Sequence, residues 1–175
     1  MATYIYDVPF LKTSSNPLLK YVVAGWQVAG VSTIQSGTPV NVTTSGDRAN
    51  IGISGLQRPN LVGAVPELNC QPNTTTLELI NCYGASAFAL QPQFTFGNTP
   101  RNVLRGPKFA ATDLSLMKSI PVGGSAQLQI RAEIFNAFNT VNYGNPGSTF
   151  GAASFGRISS AGSMRQVQLG ARLSF

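Results

Sequence analysis

The stretch Ser125 to Phe135, SAQLQIRAEIF, alternates without a fault. Ala126, Leu128, Ile130, Ala132 and Ile134 are aliphatic, while Gln127, Gln129, Arg131 and Glu133 between them carry amides or charges. Alternation of this length predicts a strand with one apolar and one polar face. A slip of one residue would exchange the faces. In a bilayer that would put Arg131 into hydrocarbon, at about 2 to 4 kcal/mol near the midplane. The register is therefore tightly specified.

The same parity appears on both sides of this stretch. In ATDLSLMK, residues 111 to 118, Thr112, Leu114 and Leu116 oppose Asp113 and Ser115. In RQVQLGARLSF, residues 165 to 175, Val167, Leu169, Ala171, Leu173 and Phe175 oppose Gln168, Gly170 and Arg172. Nearer the start, GWQVAGVSTIQSGTPVNV sets Trp26, Val28 and Ile34 against Gln27, Thr33 and Gln35. ATYIYDVPF sets Ala2, Tyr4, Tyr6, Val8 and Phe10 against Thr3, Ile5, Asp7 and Pro9. Strands are expected near 2–10, 25–42, 109–118, 125–135 and 165–175. Each is close to the 9 to 11 tilted residues with which a β-strand crosses a membrane.

Composition decides between a soluble sheet and a membrane one. Only 10% of the 175 residues are charged, against about 25% in an ordinary soluble domain. No apolar run approaches the roughly 18 to 20 residues of a membrane helix. An all-β, antiparallel, up-and-down transmembrane barrel fits both facts: aliphatic faces meet lipid, and Gln127, Gln129, Arg131, Glu133, Gln168 and Arg172 face a wet lumen. The net charge of +6 comes from twelve singly scattered bases and only six acids. No basic stripe for nucleic acid is present.

The connections give an independent check. Only SIPVGG separates the third and fourth strands, whereas about 65 residues separate the second from the third and about 25 the fourth from the fifth. Outer-membrane barrels combine short periplasmic turns with long extracellular loops, so 43–108 and 136–164 are expected outside the cell. LKTSSNPLLKYVVA then becomes a periplasmic turn, and Tyr6, Phe10, Trp26 and Phe175 lie near the inner interface. MATYIYDVPF has no basic and apolar leader pattern. Five strands do not close a barrel, so the chain is expected to be the C-terminal portion of a larger one. LQPQFTFG is the only further strand-like run in the first long loop.

A set of ordered motifs supports this. They are Gly25-Trp26-Gln27, Gln35-Ser36-Gly37-Thr38-Pro39, Gln57-Arg58-Pro59-Asn60-Leu61-Val62-Gly63, Arg101-Asn102 and Leu104-Arg105-Gly106-Pro107. Asp113-Leu114-Ser115-Leu116 with Lys118, Arg131-Ala132-Glu133, Phe135-Asn136-Ala137-Phe138-Asn139, Asn145-Pro146, Phe155-Gly156-Arg157-Ile158 and Phe175 follow. In order and spacing the chain resembles, nearly end to end, the C-terminal barrel region of Oar-like TonB-dependent outer-membrane receptors. Met117 departs from it, standing where an aromatic residue is common. The resemblance implies a 22-stranded barrel around a plug, importing bulky nutrients with energy from the inner membrane. It implies contact with the TonB complex only through an N-terminal part outside this chain. It also implies that the terminal strand, Val167, Leu169, Ala171, Leu173 and Phe175, is the signal read by the barrel assembly machinery. The partners expected are outer-membrane lipid and that machinery; the substrate is not legible.

Sites of chemistry are sparse. With no His and six scattered acids, neither a nucleophile pair nor a carboxylate pair exists, so no catalytic, cofactor or metal site is expected. Cys70 and Cys82 are too few for a metal centre; a loop disulfide in an oxidising exterior is expected, with free thiols as the alternative. GDRANIGISG lacks the ending of a phosphate loop and the Asp ladder of a calcium loop, and is expected to be a flexible exposed turn. Arg48, Arg58, Arg101 and Arg105 are candidates for anion contacts or for loop bracing. Two other classes compete with the receptor fragment. One is a soluble all-β binding or adhesion domain, the other a small free-standing outer-membrane barrel.

Overall fold

A computed structural model describes residues 1–9, 22–72, 75 and 79–175. It divides into two compact units, each threaded by two or three segments of chain. Among the described residues there are thirteen strands, β1 to β13 in chain order.

The first unit, Met1–Gln35, Ala110–Val141 and Ser163–Phe175, is a single sheet. It comprises β1 (Ala2–Asp7), β2 (Trp26–Gln35), β10 (Phe109–Gly123), β11 (Ala126–Phe135) and β13 (Gln166–Ser174), adjacent in that order and with both outer edges open among the described residues. Each strand lies beside its predecessor in the sheet, which is up-and-down topology. The expected fold class is what the structure has.

Pairing of β11 with both neighbours fixes the faces. Leu128, Ile130, Ala132 and Ile134 stand opposite Leu173, Ala171, Leu169 and Val167 on β13, and opposite Ile120, Lys118, Leu116 and Leu114 on β10. The intervening row pairs Gln129 with Arg172, Arg131 with Gly170 and Glu133 with Gln168. The aliphatic row is not a core. Leu169 is 76% exposed and Val167, Leu173, Ile130 and Leu116 are all open. On β1 and β2, Tyr4 pairs with Gly30 and Tyr6 with Val28. The Tyr4 ring occupies the space that a side chain at Gly30 would fill.

Several boundaries differ from expectation. β10 runs on to Gly123, so SIPVG is strand rather than turn. Ile120 pairs with Leu128 and Pro121 with Gln127, and a bulge absorbs Val122 before Gly123 pairs with Ala126. A bulge is where a strand tolerates a proline. The reversal is confined to Gly124 and Ser125, with Gly123 and Gly124 at positive φ of 132° and 57°. β1 ends at Asp7 and Phe10 lies outside the described residues, as does most of LKTSSNPLLKYVVA. β2 stops at Gln35, because the Ser36 to Pro39 stretch breaks away. Gly37 packs against the Gly106 carbonyl, leaving no room for a Cβ, and Pro39–Val40 pairs instead with Leu104–Arg105. LQPQFTFG forms no strand; Phe94 adopts a left-handed conformation at φ 63°.

The second unit, Ser36–Phe109 and Asn142–Gly162, corrects the expectation of simple loops. It has a core of Val40, Val42, Tyr83, Ala87, Phe88 and Leu104. Every buried apolar side chain among the described residues belongs to this unit. Its frame is a set of two-residue pairings: β3 (Pro39–Val40) with β9 (Leu104–Arg105), β4 (Thr43–Thr44) with β12 (Thr149–Phe150), β5 (Asn60–Leu61) with β8 (Phe88–Ala89), and β6 (Gln71–Pro72) with β7 (Leu79–Ile80). Phe88, Phe150 and Phe155 form a triangle of rings with centroids 5.5 to 6.0 Å apart, two of the contacts edge-to-face. Such pairs add about 0.5 to 1.5 kcal/mol each beyond burial, and here they join the unit's two chain segments.

Cys70 and Cys82 are joined as a disulfide 12 positions apart. Cys82 is fully buried, and its amide donates to the Gly156 carbonyl at 2.8 Å. The Tyr83 hydroxyl donates to the Arg105 carbonyl at 2.7 Å, and burial pushes its pKa up to about 12.

Two outcomes follow for this unit. Replacing both cysteines by serine should lower its stability by about 3 kcal/mol, the loop-closure value for a ring of this size, read as a lower denaturation midpoint by near-ultraviolet dichroism. The folded unit also holds the Tyr83 proton more tightly than the unfolded chain does. Its stability should therefore be intact below pH 10 and decline as pH rises from 10 towards 12. Tyr83→Phe should abolish that part of the alkaline decline.

Candidate functional site

Two surfaces carry chemistry, one in each unit. On the sheet it is the amide face. Gln127, Gln129, Arg131 and Glu133 on β11 alternate out of the aliphatic row, and Gln168 and Arg172 on β13 fall beside Glu133 and Gln129 by register. The Arg131 guanidinium reaches Glu133 at 3.7 Å with both groups partly exposed, a pairing worth well under about 1 kcal/mol. Arg131 leans over Gly170, and together with Gln129 and Arg172 it lines a small polar recess of about 110 Å³. Met117 also lies on this face, opposite Arg131. A broader depression on the same sheet includes Ile5, Val31, Asp113 and Glu133. Asp113 is engaged there by the Asn136 amide at 2.8 Å.

Lys118 stood in one of the ordered motifs, but sequence reading gave it no face and no role. Counting by twos from Leu114 through Leu116 puts it on the aliphatic face, and the register agrees. It is 6% exposed, its ammonium donates to the Ala24 carbonyl, and it lies over the Trp26 ring at 5.5 Å. A cation held over indole by a backbone acceptor is masked from its apolar surroundings. The hydrogen bond from Ser119 to the Gly25 carbonyl, at 3.0 Å, puts Gly25 in one row with Ser119, Gln129 and Arg172. Phe175 lies three residues further on. A common level for Trp26 and Phe175 thus requires the strand tilt that barrels have.

In the second unit the candidate is a cavity of about 460 Å³, bounded by Asn41, Thr43, Ile51, Leu56, Gln57, Arg58, Phe96, Gly97 and Arg101. Its geometry begins with Asp47. One carboxylate oxygen accepts the Ile51 amide at 3.0 Å and the Gln57 side chain, the other the Gly52 amide at 2.7 Å. GDRANIGISG is therefore exposed but internally braced, a correction to the flexible turn expected. The Ile51 amide foremost holds the Asp47 pKa below its ordinary 3.8; desolvation opposes it, and Gly52, Gln57 and Asn50 add to the lowering.

Gln57 carries the bracing inward. It is 4% exposed, and its side-chain oxygen accepts the Ala49 amide at 2.9 Å and the Gln91 side chain at 3.2 Å. Beyond it, Thr99 donates to the Pro59 carbonyl at 2.6 Å, the Asn98 side chain accepts the Leu61 amide at 2.7 Å, and the Asn60 side chain accepts the Asn98 amide at 3.1 Å. Asn41 accepts the Asn102 amide at 2.6 Å. Gly97 passes so close to the Arg58 and Pro59 carbonyls that a Cβ would collide with them.

These bonds hold the backbones of Arg58 and Arg101 on a fixed frame, yet neither guanidinium has a partner among the described residues. Arg48 is different, since its Nε donates to the Gln91 carbonyl at 2.7 Å. Arg105 contributes its carbonyl to Tyr83 but does not line the cavity. Of the four arginines singled out by sequence, one braces, two line the cavity and one does neither with its side chain.

Open antiparallel strands in consecutive order, aliphatic on one face and amide-bearing on the other, are the wall of a membrane β-barrel. The family model of the outer membrane beta barrel domain matches residues 1–168. The chain belongs to that family and is a protein of the bacterial outer membrane. No curated protein and no solved structure matches it.

Family and faces together predict a contrast between neighbouring positions. Leu169→Arg should lower the stability of the assembled barrel by about 2 to 4 kcal/mol, the depth-dependent cost of a cation in hydrocarbon, while Gln168→Arg on the other face should cost under about 1 kcal/mol. Urea unfolding in lipid vesicles reads both.

Proposed function

We propose that this chain is the C-terminal part of a TonB-dependent receptor of the Oar-like type, importing a bulky solute across the outer membrane. The observation that carries the reading is the sheet itself. Five strands in consecutive order leave two edges open on described residues, and an open edge in a membrane demands further strands. The two stretches of the second unit are inserted between β2 and β10 and between β11 and β13, at strand ends opposite the Gly124 turn. By the rule of short periplasmic turns they are extracellular. A large, cored, disulfide-bonded unit in that position suits capture of a solute before import.

On this reading the aliphatic row from Val167 to Phe175 meets lipid, and Gln129, Arg131, Glu133 and Arg172 line the lumen. The same terminal strand is presented to the barrel assembly machinery. Contact with the TonB complex belongs to a part of the receptor outside these residues. No step calls for a catalytic group, metal or cofactor.

An antibody raised against the second unit tests the reading on outer membranes of the source bacterium. The expected band is a polypeptide several times larger than 18.5 kDa, with solute uptake abolished by an uncoupler of the inner membrane. A band at 18.5 kDa, inserted and heat-modifiable alone, would instead identify a small free-standing barrel.

A further inference from the structure

We propose that the cavity of the second unit binds a small carboxylate carried on a flat apolar body. It holds whether or not the barrel is energised, since it rests on the cavity alone.

The charge comes first. The second unit carries six bases against three acids, and no residue bounding the cavity is acidic. The nearest acid on the page, Asp47, spends both carboxylate oxygens on the Ile51 and Gly52 amides and on Gln57. Arg58 and Arg101 therefore share one cavity with their charge uncompensated by protein. Guanidinium forks pair with carboxylates in two parallel bonds.

The walls supply the second half of the recognition. Leu56 and Phe96 line the cavity and are 72% and 71% exposed, with Ile51 beside them also open. Apolar side chains left that open at the mouth of a preformed cavity are characteristic of a ligand site. A volume of about 460 Å³ suits a compact organic molecule. The frame is rigid before binding: Thr99 to Pro59, Asn102 to Asn41 and the Gly97 close approach fix both arginine backbones. A ligand then meets little ordering cost beyond the two side chains.

The test titrates 2-naphthoate calorimetrically into the full chain, assembled with its barrel in lipid nanodiscs. The neutral 2-naphthamide removes the charge, and inorganic phosphate removes the apolar body. One saturable naphthoate site is expected, weakened by added salt, with both comparison probes binding at least about tenfold more weakly. Arg58→Gln with Arg101→Gln should weaken naphthoate at least about tenfold. Arg58→Lys with Arg101→Lys should recover part of it, because the charge returns without the fork. Neither pair should move the thermal midpoint, as the guanidiniums hold nothing in the protein. Absence of naphthoate binding to the parent chain would overturn the proposal, as would equal binding by the glutamine variant. Naphthamide binding as well as naphthoate would overturn the ionic half, and phosphate doing so would overturn the apolar half.

Discussion

The pairing of β11 with β10 on one side and β13 on the other is the constraint on which the sheet depends. A strand inside a bilayer must place every backbone N–H and C=O in a ladder, because hydrocarbon offers no substitute. Once those ladders are set, parity does the rest. Ala132 and Ile134 come out with Leu116, Leu114, Leu169 and Val167, while Arg131 and Glu133 come out with Gly170 and Gln168. Among the described strand residues, Lys118 is the cation that parity puts on the aliphatic side, and the Trp26 ring and Ala24 carbonyl take it up. The sheet needs no buried core, since its register is enforced by the solvents on its two sides.

The second unit is organised on the opposite principle. Its strands are two residues long and could not persist by pairing alone. They are held by apolar burial around Leu104 and Phe88, by the phenylalanine triangle and by the covalent link from Cys70 to Cys82. Its polar network, from Asp47 through Gln57 to Gln91, runs beside that core and shapes the cavity wall. One chain thus combines a lipid-style wall and a water-style domain, which is why its overall composition looks like neither.

That division explains what was legible. Long alternation in β11 and β13 marked each strand to within a residue and separated its aliphatic row from its polar row, because period two is a local property. SIPVG looked like a turn because proline and glycine usually end strands; a bulge at Val122 depends on the partner strand and leaves no local mark. The second unit looked like loop because its order comes from contacts distant in sequence. Thr43 meets Ser148, Cys82 meets Gly156, and no periodicity announces either. The cavity was half legible. Arg58 and Arg101 stood out as bases among glycines and prolines, but their convergence, and the different task of Arg48, needed coordinates.

The phenylalanine triangle also sets an order of events in synthesis. Phe150 follows Phe88 by 62 residues, and the β10–β11 hairpin is made in between. A nascent chain that has completed Ser36–Phe109 has the core side chains from Val40 to Leu104 but still lacks two of the three rings. The second unit can be finished only after the hairpin has been made. Until then, Phe88 stands without either of its ring partners, and the unit's two chain segments are not yet joined through the triangle.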